Sequence, residues 1–457
     1  MMLPTKPVLT ALLITAVSPM AAAQPGDLTE SSKLTASDAA FADRFGTSVA
    51  IDNGIVAVGV PGDDDNSRDS GSVYFFDAAT GTHLFKLLPN DGALEDAFGT
   101  SVDIDNGVVA VGADFGNIDD GVHSGSAYLF DTATGVQLFK LIANDGAIGD
   151  AFGRSIAIDS GIVAVGAPFD ADNGFDSGSV YLYDASTGVQ LFKLLTSDGE
   201  PRDHFGLSIA IDNGIVAVGA NGDDDNGLNS GSVYLFDAST GAQITKLLPS
   251  DGAEVDHFGI AIAINNGIVA VGALADDDNG DRSGSAYLFD ANTGAQLFKL
   301  LPNDGAAQDF FGSSIAIGNG IVAVGAISDD DNGDRSGSAY LFDANTGAQI
   351  TKLLPSDGAA QDSFGSSITI NNGVVAAGAH LDDDNGIDSG SAYIFDLANT
   401  TPCLADTNND GKLTPADFTA WINAFNNSLP ECDQNTDGVC TPADFTAWIA
   451  NFNGGCD

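Results

Sequence analysis

The sequence has few basic residues, and this shortage excludes a whole class of function. Only 15 of the 457 residues are Lys or Arg, against 64 Asp or Glu, so the formal net charge is −49. A chain this acidic repels a phosphate backbone unless a local basic patch compensates, and the sequence contains no such patch. Nucleic acid is therefore excluded as a partner.

Residues that carry catalytic chemistry are also scarce. The five histidines are scattered and show neither metal-ligand nor triad spacing, at His83, His123, His204, His257 and His380. A DxxTG stretch such as Asp237–Gly241 resembles pyrroloquinoline-quinone propellers, but the Trp that those blades dock is missing, since no Trp precedes Trp421. The sequence therefore predicts a protein that is not an enzyme.

Long apolar runs are absent apart from one near the N-terminus. Lys6 precedes an apolar run from Val8 to Val17, and Ala21-Ala22-Ala23 follows as a small-residue cleavage signal. This run is shorter than the roughly 18 residues that a membrane span needs, and Pro19 ends it. Residues 1–23 are predicted to be a secretory signal peptide, so we expect a secreted, extracellular protein without a transmembrane segment.

Glycine is abundant, with 56 residues, and it marks an internal repeat. Phe-Gly recurs every 53 residues, once after 54, beginning at Phe45, Phe98, Phe152, Phe205, Phe258, Phe311 and Phe364. The unit that starts at Phe205 contains four apolar stretches, FGLSIAID, IVAVGA, GSVYLFD and QITKLL, with turn residues between them. Four strands in each of seven repeats predict a mainly β fold, a seven-bladed β-propeller over residues 24–400.

The seventh repeat lacks its fourth strand, and the N-terminus supplies a substitute. Residues Ser32–Asp38 match the stretch that precedes each later Phe-Gly, although no blade precedes them. We expect this N-terminal strand to complete blade seven and close the ring, which leaves no long sheet edge exposed. An open solenoid is the alternative.

Residues 30–396 resemble the FG-GAP repeats of integrin α-subunits and of secreted bacterial proteins. Phe152-Gly153 and Gly166-Ala167-Pro168 match the elements that give these repeats their name. The resemblance implies a propeller that serves extracellular recognition or adhesion. The calcium loop of integrin blades is replaced here by a two-residue turn such as Asn53-Gly54, so that site does not carry over.

Acidic runs occur one loop later in most repeats, and these loops are expected to form a ring on one face of the disc. Five have the sequence Asp-Asp-Asp-Asn, and they begin at Asp63, Asp223, Asp276, Asp329 and Asp382. Adjacent carboxylates repel, and oxygen ligands suit calcium, so these loops are candidates for further ions. The alternative is a solvated loop of Asx turns.

Residues 401–457 form a separate module with two calcium-loop patterns. Oxygen-bearing residues recur at alternate positions around Gly411, and again 27 residues later around Gly438, as a seven-coordinate oxygen cage requires. The predicted metal ligands are Asp406, Asn408, Asp410, Lys412, Thr414 and Asp417 for one Ca²⁺, and Asp433, Asn435, Asp437, Val439, Thr441 and Asp444 for the other.

Each calcium loop leads into a predicted amphipathic helix. Phe418, Trp421, Ile422 and Phe425 recur at helical spacing, as do Phe445, Trp448, Ile449 and Phe452, and we expect the two sets to pack against each other. All four cysteines lie in this module, at Cys403, Cys432, Cys440 and Cys456. Three disulfide pairings are possible.

The duplicated loop–helix unit resembles a dockerin, in particular the variety that ends in Gly-Cys, as Gly455-Cys456 does here. The resemblance implies calcium-dependent docking to a cohesin-like partner or a surface protein. The recognition positions hold Pro415-Ala416 and Pro442-Ala443 instead of the hydroxyl pair of cellulosomal dockerins.

Together the two parts predict a secreted binding or adhesion protein. The propeller would present its loops to a protein or glycan ligand, and the C-terminal module would attach it to a surface or a larger complex. The alternatives are a structural component of an extracellular layer and, less favoured, a carbohydrate-active or quinoprotein-like enzyme of a polysaccharide-degrading complex.

Overall fold

The computed structural model describes residues 28–115, 124–397 and 415–427, together with Cys432, Thr441, Asp444, Phe445 and Trp448. These residues contain 28 strands and one helix. The predicted signal peptide and most of the predicted calcium ligands lie outside the described residues.

The strands form seven antiparallel sheets of four strands, and each sheet is one blade. Blade 1 consists of β2 (Ser48–Asp52), β3 (Ile55–Val60), β4 (Ser72–Asp77) and β5 (His83–Leu87). Blade 2 consists of β6 (Ser101–Asp105), β7 (Val108–Ala113), β8 (Ser126–Asp131) and β9 (Gln137–Leu141). Blade 3 consists of β10 (Ile156–Asp159), β11 (Ile162–Ala167), β12 (Ser179–Asp184) and β13 (Gln190–Leu194).

The remaining blades repeat this order. Blade 4 consists of β14 (Ile209–Asp212), β15 (Ile215–Ala220), β16 (Ser232–Asp237) and β17 (Gln243–Leu247). Blade 5 consists of β18 (Phe258–Asn265), β19 (Ile268–Ala273), β20 (Ser285–Asp290) and β21 (Gln296–Leu300). Blade 6 consists of β22 (Phe311–Gly318), β23 (Ile321–Ala326), β24 (Ser338–Asp343) and β25 (Gln349–Leu353). Blade 7 consists of β26 (Phe364–Asn371), β27 (Val374–Ala379), β28 (Ser391–Asp396) and β1 (Ser32–Leu34).

Local turn chemistry explains why each repeat folds into a blade. Asn213 and Gly214 both have positive φ, 49° and 79°, as a tight hairpin between β14 and β15 requires. Between β16 and β17, Oδ1 of Asp237 accepts hydrogen bonds from the N–H groups of Ser239 and Thr240. Gly241 then turns the chain at a φ of 68°. The predicted strands and turns are confirmed.

The hydrophobic core lies between blades. Between blades 3 and 4, Leu182 and Leu194 pack with Phe205, Val216 and Tyr234, all of them buried, and the other junctions are built in the same way. The ring of Phe205 meets Tyr234 edge to face, at a centroid distance of 5.7 Å. Each repeat is therefore stable only beside its neighbour.

Glycine at Gly219 is required by the close approach of adjacent blades. A Cβ at this position would overlap the carbonyl oxygen of Gly259 in the next blade. The Gly-Ala element of the repeat is thus a packing contact between neighbours.

The N-terminal strand closes the ring, as predicted. β1 pairs antiparallel with β28, with Ser32 opposite Ile394 and Leu34 opposite Ala392. Phe45 of blade 1 forms a bridge with Gly390 of blade 7, which repeats the bridge that Phe258 makes with Gly231. The open-solenoid alternative is wrong.

The described residues near the C-terminus include helix α1 (Pro415–Asn427). The ring of Phe418 lies 5.1 Å from that of Trp448, and the ring of Trp421 lies 5.6 Å from that of Phe445. These contacts join described members of the two aromatic sets, whereas Ile449 and Phe452 of the second set lie outside the described residues. Among the described residues, no helix is both long and apolar enough to cross a membrane.

Candidate recognition face

Two loops of each blade lie on the same face of the disc in the described part of the chain, which leaves out residues 116–123 of blade 2. Because the strands are antiparallel, the tight hairpins face one side, whereas the loop between the second and third strands and the loop before the next Phe-Gly face the other. We call these the acidic loop and the Phe-Gly loop, and their side the loop face. The two meet across each described blade junction, as where Val255 N–H donates to Leu228 O over 2.8 Å.

The carboxylates of the acidic loop build its turn. In blade 4, Oδ1 of Asp223 accepts a hydrogen bond from Asp225 N–H, and Oδ1 of Asp224 accepts one from Asn229 N–H. Asp223 is buried, whereas Asp224 and Asp225 are exposed. The acidic run therefore contains an Asx turn at Asp223, and Asp224 closes the wider loop through its bond from Asn229, which agrees with one of the two interpretations of the sequence.

A lysine from the outermost strand occupies the centre of this acidic cluster. Lys246 Nζ lies 2.8 Å from Asp223, 2.6 Å from Asp225 and 3.1 Å from Asp198, a residue of the Phe-Gly loop. It also lies 4.9 Å from the centroid of the Tyr234 ring. Tyr234 Oη in turn donates to Asp223 over 2.8 Å. The ammonium takes the position that a bound cation would take.

The same cluster of one lysine and three aspartates recurs in six blades, around Lys33, Lys86, Lys193, Lys246, Lys299 and Lys352. In blade 1 its carboxylates, from Asp38, Asp63 and Asp65, lie close enough together to hold a metal ion. Sequence reasoning missed this lysine, although Lys recurs at one position of every fourth strand. That periodicity was the available signal.

The contacts within the cluster stabilise the charged forms of Asp223 and Lys246. Burial pushes the pKa of Asp223 upward, but hydrogen bonds from Lys246 and Tyr234 outweigh it and lower that pKa. Burial pushes the pKa of Lys246 downward, and its hydrogen bonds to Asp223 and Asp225 raise it above the usual value. These contacts therefore favour the ionised form of Asp223 and the protonated form of Lys246 at neutral pH.

A second ring of aspartates lies beneath the loop face, two residues before each Phe-Gly. Asp256 is buried, and its Oδ2 accepts a hydrogen bond from Ala253 N–H over 2.7 Å. Burial raises its pKa to about 6, and the nearby charge of Asp276 adds to the effect. The pKa is also about 6 at the equivalent residues Asp43, Asp203, Asp309 and Asp362.

We expect the propeller to become more stable as the pH falls from about 7.5 to about 5. Five aspartates of the second ring have a folded-state pKa of about 6, above the usual 3.8, so the native state binds more protons than the unfolded chain in this window. Below about pH 3.8 the trend reverses, because three cluster aspartates whose pKa is lowered lose their ion pairs, namely Asp223 and Asp329 of the acidic loops and Asp251 of a Phe-Gly loop. Thermal melting across this pH range measures the effect.

Asp256→Asn is the matched control for this prediction, since the amide oxygen still accepts the Ala253 hydrogen bond. The variant should melt higher at pH 7.5 and gain less on acidification. A melting temperature that falls steadily between pH 7.5 and 5.5 would contradict the assignment.

The centre of the loop face is a cavity of about 280 Å³ that all seven innermost strands line. Serine is the commonest residue of its wall, and one serine of each blade except blade 5 donates its hydroxyl to the next blade. Ser208 Oγ donates to Gly259 O over 2.7 Å, and Ser314 Oγ donates to Gly365 O over 2.6 Å. Blade 5 has Ala261 at the equivalent position. These hydroxyls link adjacent blades.

Of the twelve predicted metal ligands, the structure describes the side chains of two. Asp444 is fully buried, and its Oδ2 accepts hydrogen bonds from Thr441 N–H over 2.7 Å and from Thr441 Oγ1 over 3.2 Å. The Asp444 carboxylate thus caps the Thr441 N–H at the start of a helical turn, and Asp444 N–H donates to Thr441 O over 3.0 Å. Asp417 lies in α1, and its side chain is not described. The other nine residues lie outside the described part of the chain, namely Asp406, Asn408, Asp410, Lys412, Thr414, Asp433, Asn435, Asp437 and Val439.

The closed ring and its loops define the class of protein as a seven-bladed β-propeller scaffold. The FG-GAP repeat model matches residues 28–76, 82–130, 136–183, 189–236, 242–289, 295–342 and 348–395, and the chain belongs to the FG-GAP repeat family. Each matched unit begins just before the outermost strand of one blade and ends in the third strand of the next.

No curated protein matches the chain. Among solved structures, the crystal structure of the computationally designed Ika8 protein is similar over 81% of this chain and 99% of its own, with 18% sequence identity and a TM-score of 0.46. A likeness of this size carries no functional information.

Proposed function

We propose that the protein is a secreted, non-enzymatic recognition or adhesion protein. The propeller binds a protein or glycan ligand through its loop face. The C-terminal module binds two Ca²⁺ ions in a dockerin-like manner and docks the protein to a surface or a cohesin-like partner.

The uneven distribution of sequence variation among the blades is the observation that supports a recognition face. The second strand reads IVAVGA in blades 3, 4, 5 and 6 and differs little in the others. The residue before Phe-Gly, on the loop face, differs widely and is Arg44, Ala97, Ala151, His204, His257, Phe310 or Ser363. A constant frame with variable loops is typical of a binding scaffold.

The aromatic packing of the C-terminal residues supports the docking role. Trp421 and Trp448 are buried, and Trp421 Nε1–H donates to Cys432 O over 3.2 Å. A module this small has little core of its own, so calcium at the two loops and disulfides among the four cysteines would supply much of its stability.

Calcium titration of the full chain tests the proposed module. We expect two ions per chain, and one in Asp406→Ala or Asp433→Ala, because each substitution removes the first ligand of one loop. Isothermal calorimetry gives the count. Asp224→Asn, in an acidic loop of the propeller, is the control, and this variant should still bind two calcium ions. An unchanged count in both alanine variants would show that the loops are wrongly assigned.

Capture by the immobilised full chain tests the recognition role. The immobilised chain is incubated with the secreted proteins, surface proteins and glycans of its source, once with calcium and once with a chelator. A partner retained only with calcium supports docking through the module, and one retained in both conditions supports binding by the propeller. Release of reducing sugars from a polysaccharide would refute the non-enzymatic role, and the absence of any ligand would favour the structural alternative.

A further inference from the structure

The loop face is chemically uneven around the ring. At the junctions from blade 7 round to blade 5, large apolar side chains occupy the loop tips. We call this set the apolar arc, and it consists of Phe41, Leu94, Ile148, Phe175, Leu228 and Ile387. At the two remaining junctions, from blade 5 to 6 and from 6 to 7, the same positions hold Asp281, Ala307, Asp334 and Ala360.

The backbone of the two sectors is the same. Arg202 N–H donates to Phe175 O over 2.9 Å in the apolar arc, and Gln308 N–H donates to Asp281 O over 2.8 Å in the polar sector. The loop therefore forms equally well with Asp at the tip, and its fold does not require an apolar residue there.

The arc side chains do little to stabilise the propeller, because they are largely exposed. Their exposed fractions run from 50% for Leu94 to 76% for Ile148. The buried core beneath them is complete without them. A series of exposed apolar side chains on adjacent blades marks an interaction surface.

The charge around the arc indicates what kind of partner fits. Exposed carboxylates stand beside its tips, including Asp224 and Asp383. Arg68, an arginine of this sector, is paired with Glu95 and Asp69. The lysine of each cluster is already engaged by three aspartates. With a net charge of −49, this surface attracts cations and repels anionic lipid or polyanions.

We propose that the apolar arc is the docking surface for a partner protein that presents an amphipathic segment rich in Lys or Arg. Apolar side chains of the segment pack on the tips of the arc, and its cations face the surrounding carboxylates. This inference rests on the proposed recognition role of the loop face and specifies the chemistry of its partner.

The test uses the full chain and a labelled amphipathic peptide of about 14 residues, composed of leucine and lysine, with fluorescence anisotropy as the readout. The charge-neutral variant Ile148→Ser/Phe175→Ser/Leu228→Ser alters three consecutive blade junctions and should bind it at least about tenfold more weakly, because three neighbouring apolar contacts are lost. The matched control Ala307→Ser/Ala360→Ser/Gln361→Ser alters the polar sector and should change affinity less than about twofold. Equal melting temperatures of both variants exclude misfolding.

Several results would overturn the inference. The first is that the chain does not bind the peptide, and the second is that the arc variant binds it as tightly as the parent does. The others are that the parent binds a leucine–glutamate peptide as tightly as the leucine–lysine peptide, or that it binds phosphatidylcholine vesicles. If capture finds a loop-face partner that the arc variant still binds, the recognition role stands and the arc assignment fails.

Discussion

Deletion of residues 28–35 is expected to destabilise the propeller by about 5 kcal/mol or more. The deletion removes β1, so β28 loses one of its two antiparallel partners and the ring loses its closure. It also removes the fully buried Leu34 side chain. Lys33, which contacts Asp357, Asp382 and Asp384, is lost as well, and these three carboxylates remain without their ammonium. Thermal melting of the deletion variant measures the loss.

A peptide added in trans separates closure from a general effect of truncation. A synthetic peptide of residues 28–37 should restore most of the melting temperature, because strand pairing and the Lys33 ion pairs do not depend on chain continuity. The same peptide with Lys33→Glu and Leu34→Ser should not restore it. A deletion variant that melts like the parent would show that β1 does not hold the ring closed.

Replacing a cluster lysine is expected to give the second large effect. Lys246→Met keeps the side-chain length but leaves Asp198, Asp223 and Asp225 facing one another without a counter-charge. Removing one partner of a buried ion pair is strongly destabilising, and the exposure of two of these carboxylates moderates the cost. We expect a loss of at least about 2 kcal/mol in chemical denaturation.

Two further variants show whether charge is the cause. Lys246→Met/Asp223→Asn should recover part of the loss, since it removes the buried carboxylate that the lysine compensates. Lys140→Met in blade 2 should cost less, because Asp91 is the only carboxylate that Lys140 contacts within the described residues. Equal losses at Lys246 and Lys140 would show that the packing of the lysine stem, not the charge, is responsible.

The repeat pattern was enough to predict most of the fold. The signals are local, namely the Phe-Gly spacing, the Asn-Gly turns and the four apolar stretches of each unit. In the structure, local hydrogen bonds form the strands and turns that these signals predict. The stretch Ser32–Asp38 belongs to no blade of its own. It predicted closure of the ring, because a strand without a blade needs a pairing partner. The loop face was also predictable, because antiparallel connectivity places alternate loops on opposite sides of the disc.

The acidic loops could not be understood from their own residues. Three adjacent aspartates suggested unbalanced repulsion, whereas the balancing charge, Lys246, lies 21 residues downstream of Asp225 and one strand further out. The raised pKa of Asp256 likewise arises from burial that adjacent blades create together. Such effects depend on which groups share a low-dielectric space, and sequence distance does not report this.

The sequence by itself determined the number of blades, the strands, the turns and the closing strand. These features follow from local patterns that recur in each of the seven repeats. Only the tertiary structure decided which charges neutralise one another and which apolar side chains remain exposed. The clusters around Lys33 and Lys246 and the apolar arc are assembled from separate strands, loops and blades. Their chemistry exists only once the ring has closed and brought those residues together.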